Sequence, residues 1–296
     1  MTMDMVIKKL SECRIDEALD AWNGGFSDYY SPIKMTSLQF IGRMGTLSLS
    51  PDHSYVAFQN DLPAGIVLNG LSIIKGKKHA WNGGTSVKPD FRSYGVGREL
   101  IKKSLEMYEA EGADRVTLEA FAVNERAIRL YERLGYRYED TLLFLENRKA
   151  LKENPFGSAS GYTIEKDSVN EAVSLPFYNT DVPWQTHGPF TANGLALIAF
   201  DQKGIPAAYA LLQKKYGEEG DLSDVILFHC QARDNEQEPV IALLNSAFPA
   251  GKVYRQSTFN LPASSPAAKL LEKAGFTEGI SPGGTPQKQV FMIKEK

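Results

Sequence analysis

Cysteine is nearly absent from this 296-residue chain: Cys13 and Cys230 are the only two, and they lie far apart. Metal sites and disulfide scaffolds announce themselves by close, repeated cysteine or histidine spacings. None occurs, and the four histidines (His53, His79, His187 and His229) form no H-x-x-x-H pair. Metal-dependent chemistry and a stapled fold are therefore not expected. Long apolar runs are lacking too. The longest unbroken aliphatic and aromatic stretch, Leu195 to Phe200, has six residues, against the roughly 18 of a membrane span. The amino-terminal segment puts Asp4 and Lys8-Lys9 where a secretory signal needs its apolar centre. Neither charge dominates, since 33 Lys+Arg face 36 Asp+Glu for a net charge of −3. Such a balance offers no global basic field to nucleic acid or an anionic membrane. The absences together lead us to expect a cytoplasmic globular protein that binds neither.

What is present is ordinary bulk with an unusual internal order. Apolar residues make up 43% and charged residues 23%, as in other globular chains. At roughly 150 residues per domain the length predicts two domains. A long-period repeat agrees. VAFQNDLPAGIVL (Val56 to Leu68) and LIAFDQKGIPAAYALL (Leu197 to Leu212) both read as strand, turn, strand. NERAIRLYERLGY (Asn124 to Tyr136) matches SSPAAKLLEKAGF (Ser264 to Phe276) at the same shift of about 140 positions. A solenoid would repeat every 20–50 residues or so, so this spacing means duplication of one domain. The Pro-, Gly- and Ser-rich stretch from Lys152 to Tyr162 is the expected seam, giving domains at 1–152 and 157–296.

Patterning of the first half predicts a short strand, helices near Arg14–Asn23 and Thr36–Met44, and strands near 55–59, 64–74 and 80–87. A helix follows from Tyr94–Gly97 to about Glu111, then a buried strand at 115–123. A helix over 125–134 is stopped by Gly135, and one last strand covers 137–146. Helices interrupting a run of hairpin-like strands give a mixed α/β (α+β) sheet.

Chemistry enters at VKPDFRSYGVGREL, Val87 to Leu100, where a strand hands over to a helix. Arg92, Gly95 and Gly97 fit R-x-x-G-x-G. Two residues without Cβ atoms let successive backbone N–H groups close around an anion, and the helix start adds the positive end of its dipole. That suits a pyrophosphate. A G-x-G-x-x-G loop is excluded by Leu100 at its last position, and no G-x-x-x-x-G-K-Ser/Thr occurs.

A second motif begins 27 residues beyond Gly97: Asn124, Ala127, Leu130, Tyr131, Gly135 and Tyr136 read N-x-x-A-x-x-L-Y-x-x-x-G-Y. Together the two segments resemble the Gcn5-related N-acetyltransferase (GNAT) superfamily, in a subgroup with tandem copies of the acyl-CoA N-acyltransferase domain. The likeness covers residues 1 to 148 and, weakened, much of the rest. It implies that Arg92, Ser93, Tyr94, Gly95, Val96, Gly97 and Arg98 hold the pyrophosphate of acetyl-CoA, with Asn124 and Ala127 beside the thioester. Asn124 has the alternative of simply capping its helix. The resemblance further implies direct attack of an amine on the thioester within a ternary complex. A backbone N–H near Ser86 or Val87 would meet the carbonyl oxygen as it gains charge. Gly83-Gly84 reads either as a bulge that opens the strand or, with Asn82, as a hairpin turn. Tyr131 corresponds to the superfamily's general acid, Glu119 is the candidate base, and Asp28, Tyr29 and Tyr30 fall where the acceptor pocket is built.

The second copy departs from this pattern. FHCQARDNEQEPV (Phe228 to Val240) has no glycine at the loop and several carboxylates, Leu271 stands for Tyr131, and Ser264 for Asn124. Ala267, Gly275 and Phe276 keep the packing and helix-stop positions. The expectation is a degenerate domain without a CoA site, and a first domain whose cofactor contacts are complete before residue 137. The activity expected is acetyl transfer from acetyl-CoA, with no metal, to a primary amine, a small molecule in preference to a protein. The alternatives are a non-catalytic acyl-CoA-binding module and a protein N-terminal or lysine acetyltransferase.

Overall fold

A computed structural model describes residues 5–29, 33–191, 194–234, 236–280, 284 and 286–295. Its first half runs β1 (Met5–Lys9), α1 (Ile15–Gly25), α2 (Ser37–Thr46), β2 (Tyr55–Gln59), β3 (Leu62–Ile74), β4 (Lys77–Val87), α3 (Val96–Ala110), β5 (Arg115–Phe121), α4 (Glu125–Arg133), β6 (Arg137–Leu143) and β7 (Leu145–Asn147). The second runs β8 (Thr163–Asp167), α5 (Val169–Ser174), β9 (Leu195–Phe200), β10 (Pro206–Tyr216), β11 (Leu222–Ala232), α6 (Gln237–Ala247), β12 (Arg255–Thr258), β13 (Leu261–Pro262), α7 (Pro266–Lys273), β14 (Thr277–Glu278) and β15 (Gln289–Glu295). The chain forms two compact units. One comprises Met1–Glu139, Ser281–Thr285 and Phe291–Lys296, the other Asp140–Ile280 and Pro286–Val290.

In the first unit local chemistry sets the helices. Thr36 Oγ1 accepts from Gln39 N–H and Gln39 Oε1 from Thr36 N–H, a reciprocal cap that starts α2. α3 buries Leu100, Ile101, Ser104 and Tyr108 at helical spacing. Asn124 caps α4, and Gly135 at φ +90° ends it. β1 to β4 pair antiparallel, and β4 pairs parallel with β5 only from His79↔Arg115 to Asn82↔Leu118. Beyond that point β4 runs on to Val87 with its β5-facing edge open. Leu68 faces Gly84 while Asn69 faces Asn82, so Gly83 is the extra residue of a bulge. β4 is continuous through it. The hairpin-turn reading of Asn82-Gly83 is thereby excluded: Asn82 Oδ1 accepts from Gly84 N–H at 2.8 Å, tying the bulge within one strand.

The second unit repeats this order. β9, β10 and β11 pair antiparallel, β11 and β12 parallel, and a register shift at Leu211/Leu212 makes Phe228 the extra residue. The repeated order runs from β9 to α7 as from β2 to α4; where the first unit has α2, the second has, among the described residues, only short 3-10 turns at Trp184–Thr186 and Gly188–Phe190.

The strand expected over 137–146 is instead two. β15, the last strand of the chain, lies between β5 and β6 in the first sheet, and β7 lies between β14 and β12 in the second. The first sheet thus takes β15 and the two-residue β13 from the second half of the sequence, and the second sheet takes β7 from the first. The units divide between Glu139 and Asp140, and the expected seam at 152–162 falls inside the second unit. The physical reason is burial. Leu151 and Phe156 are core residues, and Asn245 Nδ2 donates to Gly157 O, so a segment with the composition of a linker is pinned. Leu145, 1% exposed, donates its N–H to Thr258 Oγ1 and draws β7 into the second sheet.

Candidate active site

Where β4 ends, the chain turns through Pro89–Phe91 into a loop with two left-handed residues, Ser93 (φ +73°) and Gly95 (φ +88°). Gly95 precedes α3 with no side-chain cap, so the first N–H groups of the helix keep no intrahelical partner and face an incoming anion. A Cβ on Gly95 would meet nothing within 4 Å; its glycine is required by the dihedral, not by crowding. A Cβ on Gly97 would point at Val87 and Leu130, which form the wall of a cavity of about 1070 Å³. Arg92, Arg98, Lys102, Arg126 and Arg133 line that cavity against one carboxylate, Asp28. This charge imbalance suits a ligand with several phosphate charges.

The inner wall is the opened strand: Thr85, Ser86 and Val87 face Ala127, Leu130 and Tyr131 of α4. Tyr131 is 8% exposed and its hydroxyl bonds to Thr85. Burial and the nearby Tyr29 hydroxyl push its pKa up, so it stays protonated at neutral pH. Tyr29 stands edge-on to Phe26 (4.9 Å between ring centroids) and Phe121 (5.7 Å), an aromatic corner beside Tyr131.

Most of the sequence-derived site residues converge here, with shifted parts. Arg92 does not extend alone toward a ligand. Its two terminal nitrogens donate to the Asp28 carboxylate at 2.6 Å each, and further donations reach Gly25 O and Val87 O. A residue expected to bind cofactor thus holds one expected to bind acceptor, and the pairing keeps the Asp28 carboxyl below its usual range. The Ser86 hydroxyl is committed to Ala21 O, which leaves its backbone for the cavity. Asn124 caps α4, accepting from Ala127 N–H, and also lines the cavity. Tyr94 is 58% exposed and outside the lining. Glu119 is half-buried on β5, also off the cavity wall. Tyr30 lies outside the described residues. Sequence reasoning missed Phe26, Thr85, Lys102, Arg126 and Arg133. Arg126, Leu130 and Arg133 follow helical spacing from the capping Asn124, a signal that was there to read; Arg126 donates to Ser93 Oγ of the loop.

In the second unit Cys230, Ala232, Val240, Leu244, Ala267 and Leu271 belong to one apolar core. Glu236 precedes α6 and Glu238 sits in its first turn, placing negative charge where the first unit presents its nest. Among the described residues no cluster of three or more metal-ligating side chains occurs, and no helix is long and apolar enough to cross a membrane.

Residues 15–136 match the Acetyltransferase (GNAT) family. N-alpha-acetyltransferase 30 of Schizosaccharomyces pombe is 31% identical over 91 residues, 30% of this chain and 61% of that one. The [ribosomal protein bS18]-alanine N-acetyltransferase of Salmonella typhimurium is 32% identical over 90 residues, 30% of this chain and 52% of that one. The matches therefore span about half to three fifths of these relatives. Over nearly its whole length the chain is similar in fold to a tandem GNAT protein from the clavulanic acid biosynthesis pathway. That likeness has a TM-score of 0.53 at 14% identity and covers 99% of this chain and 98% of that one. A GCN5-related N-acetyltransferase from Sphaerobacter thermophilus gives 0.60 at 14% identity, with 98% and 95% covered. The nest, the opened strand and the α4 tyrosine lie within the segment that matches the Acetyltransferase (GNAT) family, and over nearly its full length the chain has the fold of tandem GNAT proteins.

Proposed function

We propose that the first unit transfers the acetyl group of acetyl-CoA to a primary amine, by direct attack within a ternary complex. One observation carries this reading: the left-handed nest, five cationic side chains and the buried Tyr131 hydroxyl all face one cavity beside the open edge of β4. In that reading the loop from Arg92 to Arg98 and the start of α3 hold the pyrophosphate. The backbone at Ser86 and Val87 offers N–H groups to the developing oxyanion. The amine nitrogen bonds to the acetyl carbon as the C–S bond breaks, and Tyr131 gives its proton to the departing thiolate. Glu119 stands off the cavity wall, so it takes the amine's proton through water.

The acceptor we assign is a small-molecule amine held at the Phe26, Tyr29 and Phe121 corner. A protein amino terminus is the second reading, favoured by two sequence relatives, an N-alpha-acetyltransferase and a ribosomal protein-alanine N-acetyltransferase. A non-catalytic acyl-CoA module would have no use for a buried phenol at the thioester position. The second unit, with Glu236 and Glu238 at the start of α6 and Leu271 where the first has Tyr131, binds no CoA. Titration calorimetry should find acetyl-CoA binding once per chain, and free thiol should appear when amines are added. Gly97→Asp should abolish binding, because a carboxylate enters the nest. Two equivalent sites, or binding without thiol release across an amine library, would overturn the proposal.

A further inference from the structure

Arg43 has no place in the chemistry above, yet its surroundings are unusual for an arginine. It lies on α2, only partly exposed, and one terminal nitrogen donates to Gly83 O at 2.9 Å. Its guanidinium carbon sits 5.5 Å from the Trp22 ring centroid. Nε is buried and has no hydrogen-bond acceptor. Among the described residues no carboxylate forms an ion pair with it, and no charged neighbour offsets the effect of its burial. A cation drawn out of water without a counter-charge is unfavourable until an anion joins it.

Its position ties this unfilled capacity to the acceptor. Gly83 is the extra residue of the β4 bulge, next to Asn82, where pairing with β5 stops. From Gly83 to Val87 the strand advances about 13 Å, so Arg43 works at the opposite end of the opening from the pyrophosphate nest. Arg43 and the buried Trp22 lie outside the cavity lining, and a row of rings runs from them to it: Trp22 lies 4.6 Å from Phe26, and Phe26 lies 4.9 Å from Tyr29. Phe26 and Tyr29 both line that cavity.

We infer that the acceptor is an amine bearing a carboxylate, and that Arg43 binds that carboxylate while the amine reaches the thioester. This rests on the acetyl-transfer reading above. A carboxylate is favoured over a phosphate because one guanidinium balances one negative charge, and among the described residues no second cation adds to the effect of burial on Arg43. The planar fork also matches two carboxylate oxygens.

The test uses the full chain, acetyl-CoA, and matched acceptors: α-, β- and γ-amino acids, each against its own amide. Calorimetry with acetyl-CoA and thiol release with any amine test the underlying reading separately. The inference is tested by the ratio of kcat/KM between acid and amide. We expect at least one acid to exceed its amide by about 10- to 100-fold, the scale of a charge-assisted pair. That ratio should fall to near one in Arg43→Gln and return in part in Arg43→Lys. Three outcomes overturn the inference. Amides could match or outrun every acid. Arg43→Gln could slow acid and amide alike and leave their ratio intact, which would make Arg43 a clamp on the bulge. Acetyl-CoA could bind while no acid turns over.

Discussion

Every residue we assign to acetyl-CoA precedes residue 137, so deleting the last eight residues of the chain looks harmless on paper. The fold predicts the reverse. β15 lies between β5 and β6, and its Phe291, Met292 and Ile293 are 1%, 0% and 0% exposed. Burying each such side chain contributes about 1.5–3 kcal/mol, hence about 5–9 kcal/mol for three, against a typical domain stability of about 5–15 kcal/mol. The deletion also strips backbone partners from both neighbouring strands, one of which, β5, borders the open wedge. The exposed pair of Glu295 with Arg137 adds little, and its part-buried pair with Arg115 is lost as well. A chain ending at Lys288 should therefore lose acetyl-CoA binding by calorimetry and become protease-sensitive in its first half. A fragment ending near 156 should fail for the same reason. Grafting residues 289–295 behind residue 139 through a short loop should restore binding. A chain ending at Lys288 that binds acetyl-CoA once, with unchanged affinity, would refute this account of the sheet.

Other expectations can be checked alongside. Tyr131→Phe should retain acetyl-CoA affinity but slow the chemical step by roughly ten- to a thousand-fold, the range for a lost general acid; pre-steady-state thiol release is the measurement, and an unchanged rate removes Tyr131 from the mechanism. Asp28→Asn should raise the acceptor KM by about five-fold, the scale of one partly exposed ion pair, while leaving acetyl-CoA affinity equal or higher because Arg92 is released; weakened acetyl-CoA binding would contradict that. In the second unit His229 is buried and its pKa is lowered from 6.5 to about 3 by desolvation. The unfolded chain then takes up a proton between these values and the folded chain does not, so stability declines as pH falls from 6.5 towards 3. The slope from this group approaches about 1.4 kcal/mol per pH unit; urea midpoints at pH 7 and pH 5 should show it, and His229→Gln should flatten it.

The site was legible to the extent that it is local. The loop from Arg92 to Gly97 is a strand end, two positions without a Cβ and a helix start, all within fourteen consecutive residues of the sequence. Asn124, Tyr131 and Gly135 likewise share one short helix whose cap and stop are written in residue type. Arg92's partners were not legible. Asp28 is 64 positions away and Gly25 is 67, and nothing in periodicity says which carboxylate a loop arginine meets. Arg43 escaped notice for the same reason, its contact at Gly83 being 40 positions distant.

The duplication, the mixed α/β class and the anion nest follow from the order of residues alone, because hydrophobic period, capping and backbone dihedral preference act over a few neighbours at a time. The assignment of strands to sheets does not. β6 and β7 read as one run and β15 as an ordinary terminal strand, since open sheet edges present the same backbone donors and acceptors. Burial of Leu145 in one core, and of Phe291, Met292 and Ile293 in the other, selects the exchange. It also turns a Pro-, Gly- and Ser-rich stretch around Leu151 and Phe156 into a pinned loop of the second unit, a result that exists only once the chain has closed around its cores.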